Sequence, residues 1–151
     1  MTAPDALRLS TDAAEMDVDA IHAYLSAASY WARGIPRETV ARAVRNSLCF
    51  GVFDGGAQVA FARVVTDRAT FAYLADVYVL EAYRGRGLSK RMMESVDAHP
   101  ELQGLRRWSL VTRDAHGLYE QFGWRPVDRP ERYMERTDPD LYTRTPPRAR
   151  P

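Results

Sequence analysis

The sequence predicts a mixed α/β domain, and three observations lead there. Short runs with period-two apolar alternation are interleaved with longer runs whose apolar residues recur every three or four positions. An Asp54-Gly55-Gly56 turn between two apolar runs marks a hairpin in the first half. Further on, the apolar run Val77-Tyr78-Val79-Leu80 leads into a glycine- and arginine-rich corner that opens an amphipathic helix. At 151 residues the chain has the length of one domain with a sizeable core.

The elements follow in order. Residues 6–10 alternate like a short strand. Residues 17–28 read as a helix, with Ile21, Tyr24, Leu25 and Ala28 on one face. Pro36 suits the start of a second helix, continued by Val40, Ala43, Val44 and Ser47. Strands are expected over 48–53, 59–66 and 71–79, the last joined through Asp67-Arg68-Ala69-Thr70. A helix over 87–98 carries Leu88, Met92 and Val96 inward, then come a strand over 108–112 and a helix over 114–122. Two short strands are expected near 125–127 and 132–136. The expected domain is 1–137, and 138–151, rich in Pro and Arg without apolar period, reads as an irregular tail.

Composition narrows the function classes. Hydrophobic residues make up 46% and charged residues 27%, as in an ordinary globular protein. A net charge of +1 lacks the basic excess that bulk nucleic-acid binding needs. Cys49, the single cysteine, lies in an apolar run and reads as a buried free thiol. His22, His99 and His116 show no metal-ligand spacing with it, so no metal site is expected. No apolar stretch approaches membrane-span length and the N-terminus lacks a signal-peptide pattern, so the expected location is cytoplasmic, with no membrane partner. Lys90 is the one lysine among 21 basic residues, a bias that points to a GC-rich, bacterial genome.

The corner carries the chemistry. Glycine keeps Cβ atoms away, so a ligand can approach the backbone closely. The first turn of the next helix offers unpaired N–H groups and the positive end of the helix dipole, which suit a phosphate. Arg84, Arg86, Lys90 and Arg91 add positive charge. Neither the Walker loop nor the dinucleotide fingerprint fits this spacing. Arg84-Gly85-Arg86-Gly87-Leu88-Ser89 does resemble the coenzyme A pyrophosphate loop of the GNAT N-acetyltransferase superfamily, Arg-x-x-Gly-x-Gly/Ala, with Ser89 in place of Gly or Ala. Downstream, Ala115, Leu118, Tyr119, Gly123 and Trp124 resemble that family's late helix, with Thr112 where many members carry Asn. The resemblance spans roughly residues 5 to 137.

The resemblance implies a GNAT-type mixed, mostly antiparallel twisted sheet with splayed central strands and about four flanking helices. It implies acetyl-CoA as donor co-substrate, no metal, and direct acetyl transfer to the amine of a small molecule or an amino-acid or peptide acceptor. Val77, Tyr78 and Val79 would offer backbone groups to pantetheine, and Arg84, Gly85, Arg86, Gly87, Leu88, Ser89 and Lys90 would hold the pyrophosphate. Tyr119 resembles the general acid that protonates the departing thiolate, a role a phenol with pKa about 10 can fill at neutral pH. Asp76, a carboxylate in an apolar run, either serves the incoming amine or caps neighbouring loop groups. His116, one turn before Tyr119, is a lesser candidate for proton relay.

Tyr30 and Trp31, between the first two helices, are the candidate acceptor wall, with Phe61, Arg63 and Tyr73 behind them. Arg63 would suit a substrate carboxylate. Related folds often pair through sheet edges or C-terminal strands, so a homodimer stays open. Two rival readings stay open, a catalytically silent coenzyme A sensor that retains the corner and a protein-interaction module that uses the Tyr30-Trp31 surface and leaves the corner vestigial.

Overall fold

The computed structural model of the protein describes residues 6–144. Strands β1 (Leu7–Ser10), β2 (Leu48–Asp54), β3 (Ala57–Thr66) and β4 (Phe71–Val79) pair antiparallel in chain order, and β5 (Arg107–Leu110) joins β4 in parallel. Helices α1 (Val18–Ala27) and α2 (Arg37–Arg45) precede β2, α3 (Leu88–Ala98) links β4 to β5, and α4 (His116–Glu120) follows. This is the mixed, mostly antiparallel sheet with four flanking helices that the family resemblance implies.

Alternation along the strands sends apolar side chains to both faces, and each face has its own cluster. Phe50, Val52, Ala62, Val64 and Leu74 pack with Leu88, Met92, Met93 and Val96 of α3 and with Tyr119 of α4. On the other face Cys49, Phe53, Phe61 and Tyr78 pack with Ile21 and Leu25 of α1 and Val40 and Val44 of α2. The helices are built for this. The Asp17 carboxylate accepts from the Ala20 N–H at 3.0 Å and caps α1. In α2, Glu38 lies in the first turn and Arg42 and Arg45 in the last, complementing the dipole.

Two features of the sheet create the functional region. Between β3 and β4 the register shifts, so that Phe61 faces Tyr78 but Arg63 faces Ala75, leaving Asp76 and Val77 opposite the single residue Ala62. This is a bulge. Between β4 and β5 pairing covers only Phe71–Leu74 against Arg107–Leu110, and beyond Leu74 and Leu110 the strands part.

The C-terminal part departs from expectation. The strands expected near 125–127 and 132–136 do not form, and this stretch is loop with one short 3-10 turn at Pro130–Arg132. Pro126 removes a ladder donor from the first, and Met134 in the second is 98% exposed, so no apolar face is buried to hold a strand there. β5 is therefore the edge of the sheet among the described residues. α4 is also shorter than the nine residues expected, starting at His116 after Ala115. Residues 138–144 are irregular turns, yet Tyr142 folds back against the α1–α2 cluster. The remainder of the expected tail, 145–151, lies outside the described residues.

Gly34 marks where that return passes, because its φ is +81° and a Cβ there would stand 2.6 Å from the Tyr142 carbonyl oxygen. Gly34→Ala should therefore lower stability by about 1–2 kcal/mol, from left-handed strain and displacement of Tyr142, as read from urea unfolding midpoints.

Candidate active site

Where β4 and β5 part, a cleft of about 500 Å³ opens. Its walls come from Ala75, Asp76 and Val77 on one strand and Val111 and Thr112 beyond the other, and Tyr30, Trp31 and Tyr119 also line it. A second cleft of about 440 Å³ runs along the outer edge of β5, and Tyr119 lines both.

Asp76 is the most constrained residue in the first cleft. Its φ of +54° is left-handed, uncommon for a residue with a Cβ. Its Oδ1 accepts from the Trp31 indole N–H at 2.8 Å and its Oδ2 from the Arg63 Nε–H at 2.8 Å. Arg63 also donates to the Ser47 hydroxyl at 3.1 Å. The Arg63 and Asp76 side chains are only 18% and 11% exposed. Arg63 is thus paired inside the protein, and the arginine of this cleft with no carboxylate partner among the described residues is Arg113. The Arg113 guanidinium lies 3.8 Å from the centre of the Tyr30 ring, and its backbone N–H donates to the Tyr30 hydroxyl at 3.1 Å. The loop carrying Tyr30 and Trp31 is consequently bonded both to β4 and to the segment that follows β5.

Tyr119 is buried at 8% exposure, with its ring edge-on to Trp124. No described group hydrogen-bonds its hydroxyl, and burial pushes its pKa up to about 12, with Tyr30 and Asp114 adding to the shift. The phenol therefore stays protonated throughout the neutral range. His116 is exposed and borders the outer cleft. His22 is hydrogen-bonded to the Ile35 carbonyl and His99 packs edge-on against Phe50. Cys49 is 3% exposed, and burial pushes its thiol up to about 11, so it is no nucleophile at neutral pH.

The glycine corner lies at the end of β4, outside both clefts. Gly85 and Gly87 take φ of +78° and +75°, and a Cβ at either would meet nothing within 4 Å. Gly87 caps α3 without a side-chain bond, so the first N–H groups of the helix, Leu88 to Lys90, have no capping side chain. Leu88 is buried and pins this end to the core. Arg84 turns back, donating to the Val79 carbonyl at 3.1 Å and to the Tyr24 hydroxyl at 3.2 Å. Arg91 donates to the Leu7 carbonyl at 2.6 Å, while Arg86 lies over the Tyr83 ring and Lys90 is exposed. Tyr78 points its side chain to the α1 side, with its ring stacked on that of Tyr24 at 3.9 Å between centroids.

Residues 45–126 match the profile of the acetyltransferase (GNAT) domain. The chain belongs to the GNAT acetyltransferase family. A Gibberella zeae protein is 35% identical, with 74% of each chain covered. A GNAT-family protein from Xanthomonas campestris pv. campestris is 54% identical, with 91% of this chain and 97% of that one covered and a TM-score of 0.89. Both are themselves named putative acetyltransferases. A predicted acetyltransferase from Clostridium acetobutylicum, crystallised with acetyl-CoA, shares the fold at a TM-score of 0.64 and 14% identity, over 87% of this chain and 94% of that one.

As a GNAT domain the chain combines an open glycine corner with a cleft between parted strands. Among the described residues no group of three or more His, Cys, Asp or Glu could hold a metal ion, and no helix is long and apolar enough to cross a membrane. The cleft brings together Tyr30, Trp31, Arg63, Tyr73, Asp76 and Tyr119, all singled out from sequence. Phe61 is fully buried and lines instead a small cavity beneath Arg63. Sequence reasoning missed Arg113 and Tyr142, which also line the cleft. Tyr142 with Leu141 is the one apolar pair in a Pro- and Arg-rich stretch, and that was the available signal.

The raised Tyr119 pKa has a stability consequence. Between the ordinary tyrosine value of 10 and about 12 the unfolded chain loses this proton and the folded chain keeps it, so folding stability falls as pH rises through that window. Tyr119→Phe should remove about 2–3 kcal/mol of that alkaline loss, seen as a smaller drop in unfolding midpoint from pH 9 to pH 12 than in the parent.

Proposed function

We propose that this GNAT acetyltransferase moves an acetyl group from acetyl-CoA directly to the amine of a small-molecule, amino-acid or peptide acceptor in the bacterial cytoplasm. One observation carries the reading. The free hydroxyl of Tyr119 and the fixed carboxylate of Asp76 line one cleft that opens off β4, the strand from which a 3-10 turn at Glu81–Tyr83 leads to the glycine corner. The N–H groups of Leu88, Ser89 and Lys90, with Gly85, Gly87, Arg84 and Arg86 around them, hold the pyrophosphate. The backbone of Val77, Tyr78 and Val79 lines the pantetheine arm, and Tyr30 and Trp31 wall the acceptor side.

The amine lone pair attacks the thioester carbonyl carbon, and a C–N bond forms as the C=O electrons move to oxygen. That oxyanion is met by the Val77 N–H. The oxyanion electrons then re-form the C=O as the C–S bond breaks, Tyr119 donates its proton to the departing sulfur, and the proton the nitrogen gives up restores the phenol. The aromatic walls favour a cationic or aromatic amine.

Calorimetric titration with acetyl-CoA should show saturable binding near one per chain, with ATP as a weak control. Gly87→Trp should weaken binding by at least about tenfold by filling the open corner, while Gly87→Asn, which tolerates a left-handed backbone, keeps most of it. Wild-type protein that stays unbound at millimolar acetyl-CoA would sink the proposal. Tyr119→Phe should lower kcat with a panel of primary amines by about 100-fold and leave acetyl-CoA affinity within about threefold. Binding without thiol release for any amine would favour the silent sensor.

A further inference from the structure

We infer that Trp31, Asp76 and Arg63 form a positioning unit that holds the β4 bulge in shape, and that Asp76 serves the reaction by placing Val77 rather than by taking a proton. The inference rests on the acetyltransferase reading and adds to it a link between the acceptor wall and the coenzyme strand.

Three observations meet at Asp76. Its backbone is left-handed in the middle of a strand. Asp76 and Val77 have no registered partner on β3 or on β5, so neither ladder fixes them. Both carboxylate oxygens are engaged at 2.8 Å, one by an indole N–H from the α1–α2 loop and one by a guanidinium from β3. What the ladders leave undetermined, the side chain determines. A carboxylate committed on both oxygens is a fixed point between two elements, and the residue it fixes is next to Val77, which lines the cleft and meets the oxyanion in the proposed reaction.

Trp31 makes the unit more than local. It sits in the loop that walls the acceptor side, and the neighbouring Tyr30 is bonded to Arg113 across the parting of the strands. An acceptor that moves Trp31 must therefore move Asp76, and with it the N–H that meets the oxyanion. Acceptor binding and acetyl positioning are coupled through one hydrogen bond.

The test uses the whole chain labelled with nitrogen-15 and titrated with acetyl-CoA, following the Val77 amide. Asp76→Asn keeps a residue that tolerates the left-handed backbone and an oxygen for Trp31, but turns its amide NH2 on Arg63, so one tether of the two is lost. It should keep part of the acetyl-CoA-induced shift of Val77 and release thiol with primary amines at a rate between those of the parent and Asp76→Ala. Asp76→Ala should lose that shift and slow thiol release by about 100-fold, the scale of a lost oxyanion donor, with acetyl-CoA affinity within about threefold. Asp76→Gly, which relieves the strain without restoring the tethers, stands in if the alanine variant fails to fold, and the same loss is expected. Trp31→Phe should move the Val77 resonance in the same direction as Asp76→Ala. If Asn and Ala variants are equally inactive while both keep the Val77 shift, Asp76 is a proton acceptor and the inference is overturned. An unchanged Val77 resonance in Asp76→Ala overturns it too. Absence of acetyl-CoA binding by the parent chain defeats the acetyltransferase reading instead, and the unliganded Val77 and Trp31 indole resonances of the variants still decide the positioning claim.

Discussion

Asp76 stands in a left-handed conformation inside an otherwise regular strand, and the shape of the cleft depends on how that is sustained. The conformation costs on the order of 1–2 kcal/mol for a residue with a Cβ, and aspartate is one of the few that accept it. Burying its carboxylate costs more unless the charge is matched. Arg63 supplies the charge and Trp31 a second donor, both at 2.8 Å. Removing either donor would leave a charge nearly buried with half its partners, so the three side chains stand or fall together. Because the bulge spends an extra residue on β4, the strand leaves the register it held with β3, and the parting from β5 begins just before it, at Leu74.

The rest of the fold makes that local irregularity affordable. β2 and β3 are almost wholly buried, and their alternate residues anchor two separate apolar clusters, so the centre of the sheet stays rigid on both faces while its far edge opens. The glycine corner is held from three sides. Leu88 sinks into the core, Arg84 ties back to the Val79 carbonyl, and Arg91 reaches across to β1. Two of the cations that sequence places around the anion site are thus partly structural, and the helix N–H groups, with Arg86 and Lys90, remain the exposed positive surface there.

The readable parts of this chain were those fixed by local rules. β4 runs over Phe71–Val79 as its apolar pattern predicts, and α1 begins one residue after its aspartate cap. The corner was legible because Gly-x-Gly at a strand end has few physical uses. The bulge was not, because it exists only as a mismatch between β3 and β4 and leaves each strand's own pattern intact. The bond between Trp31 and Asp76 joins residues 45 apart, and no local rule joins them. The segments near 125–127 and 132–136 show the opposite failure, since strands are expected there but Pro126 in the first and a solvent-facing Met134 in the second deny them a ladder and a core.

Tyr119 raises a question of proton affinity that its burial also answers. At about 12 its phenol lies well above a thiol near 8.5, so full transfer to a thiolate in water would be uphill by about 5 kcal/mol. A free phenolate is therefore no stage of the proposed reaction. The phenol instead donates a hydrogen bond to sulfur as charge develops there, and releases its proton only as it regains one from the amine side. The comparison with water also overstates the gap. A thiolate forming beside Tyr119 leaves water for the same shielded cleft, and desolvation lifts its proton affinity just as it lifted that of the phenol. Burial thus brings donor and acceptor towards each other, and the constraint that weakens Tyr119 as an acid in isolation suits it to a leaving group formed in the same place.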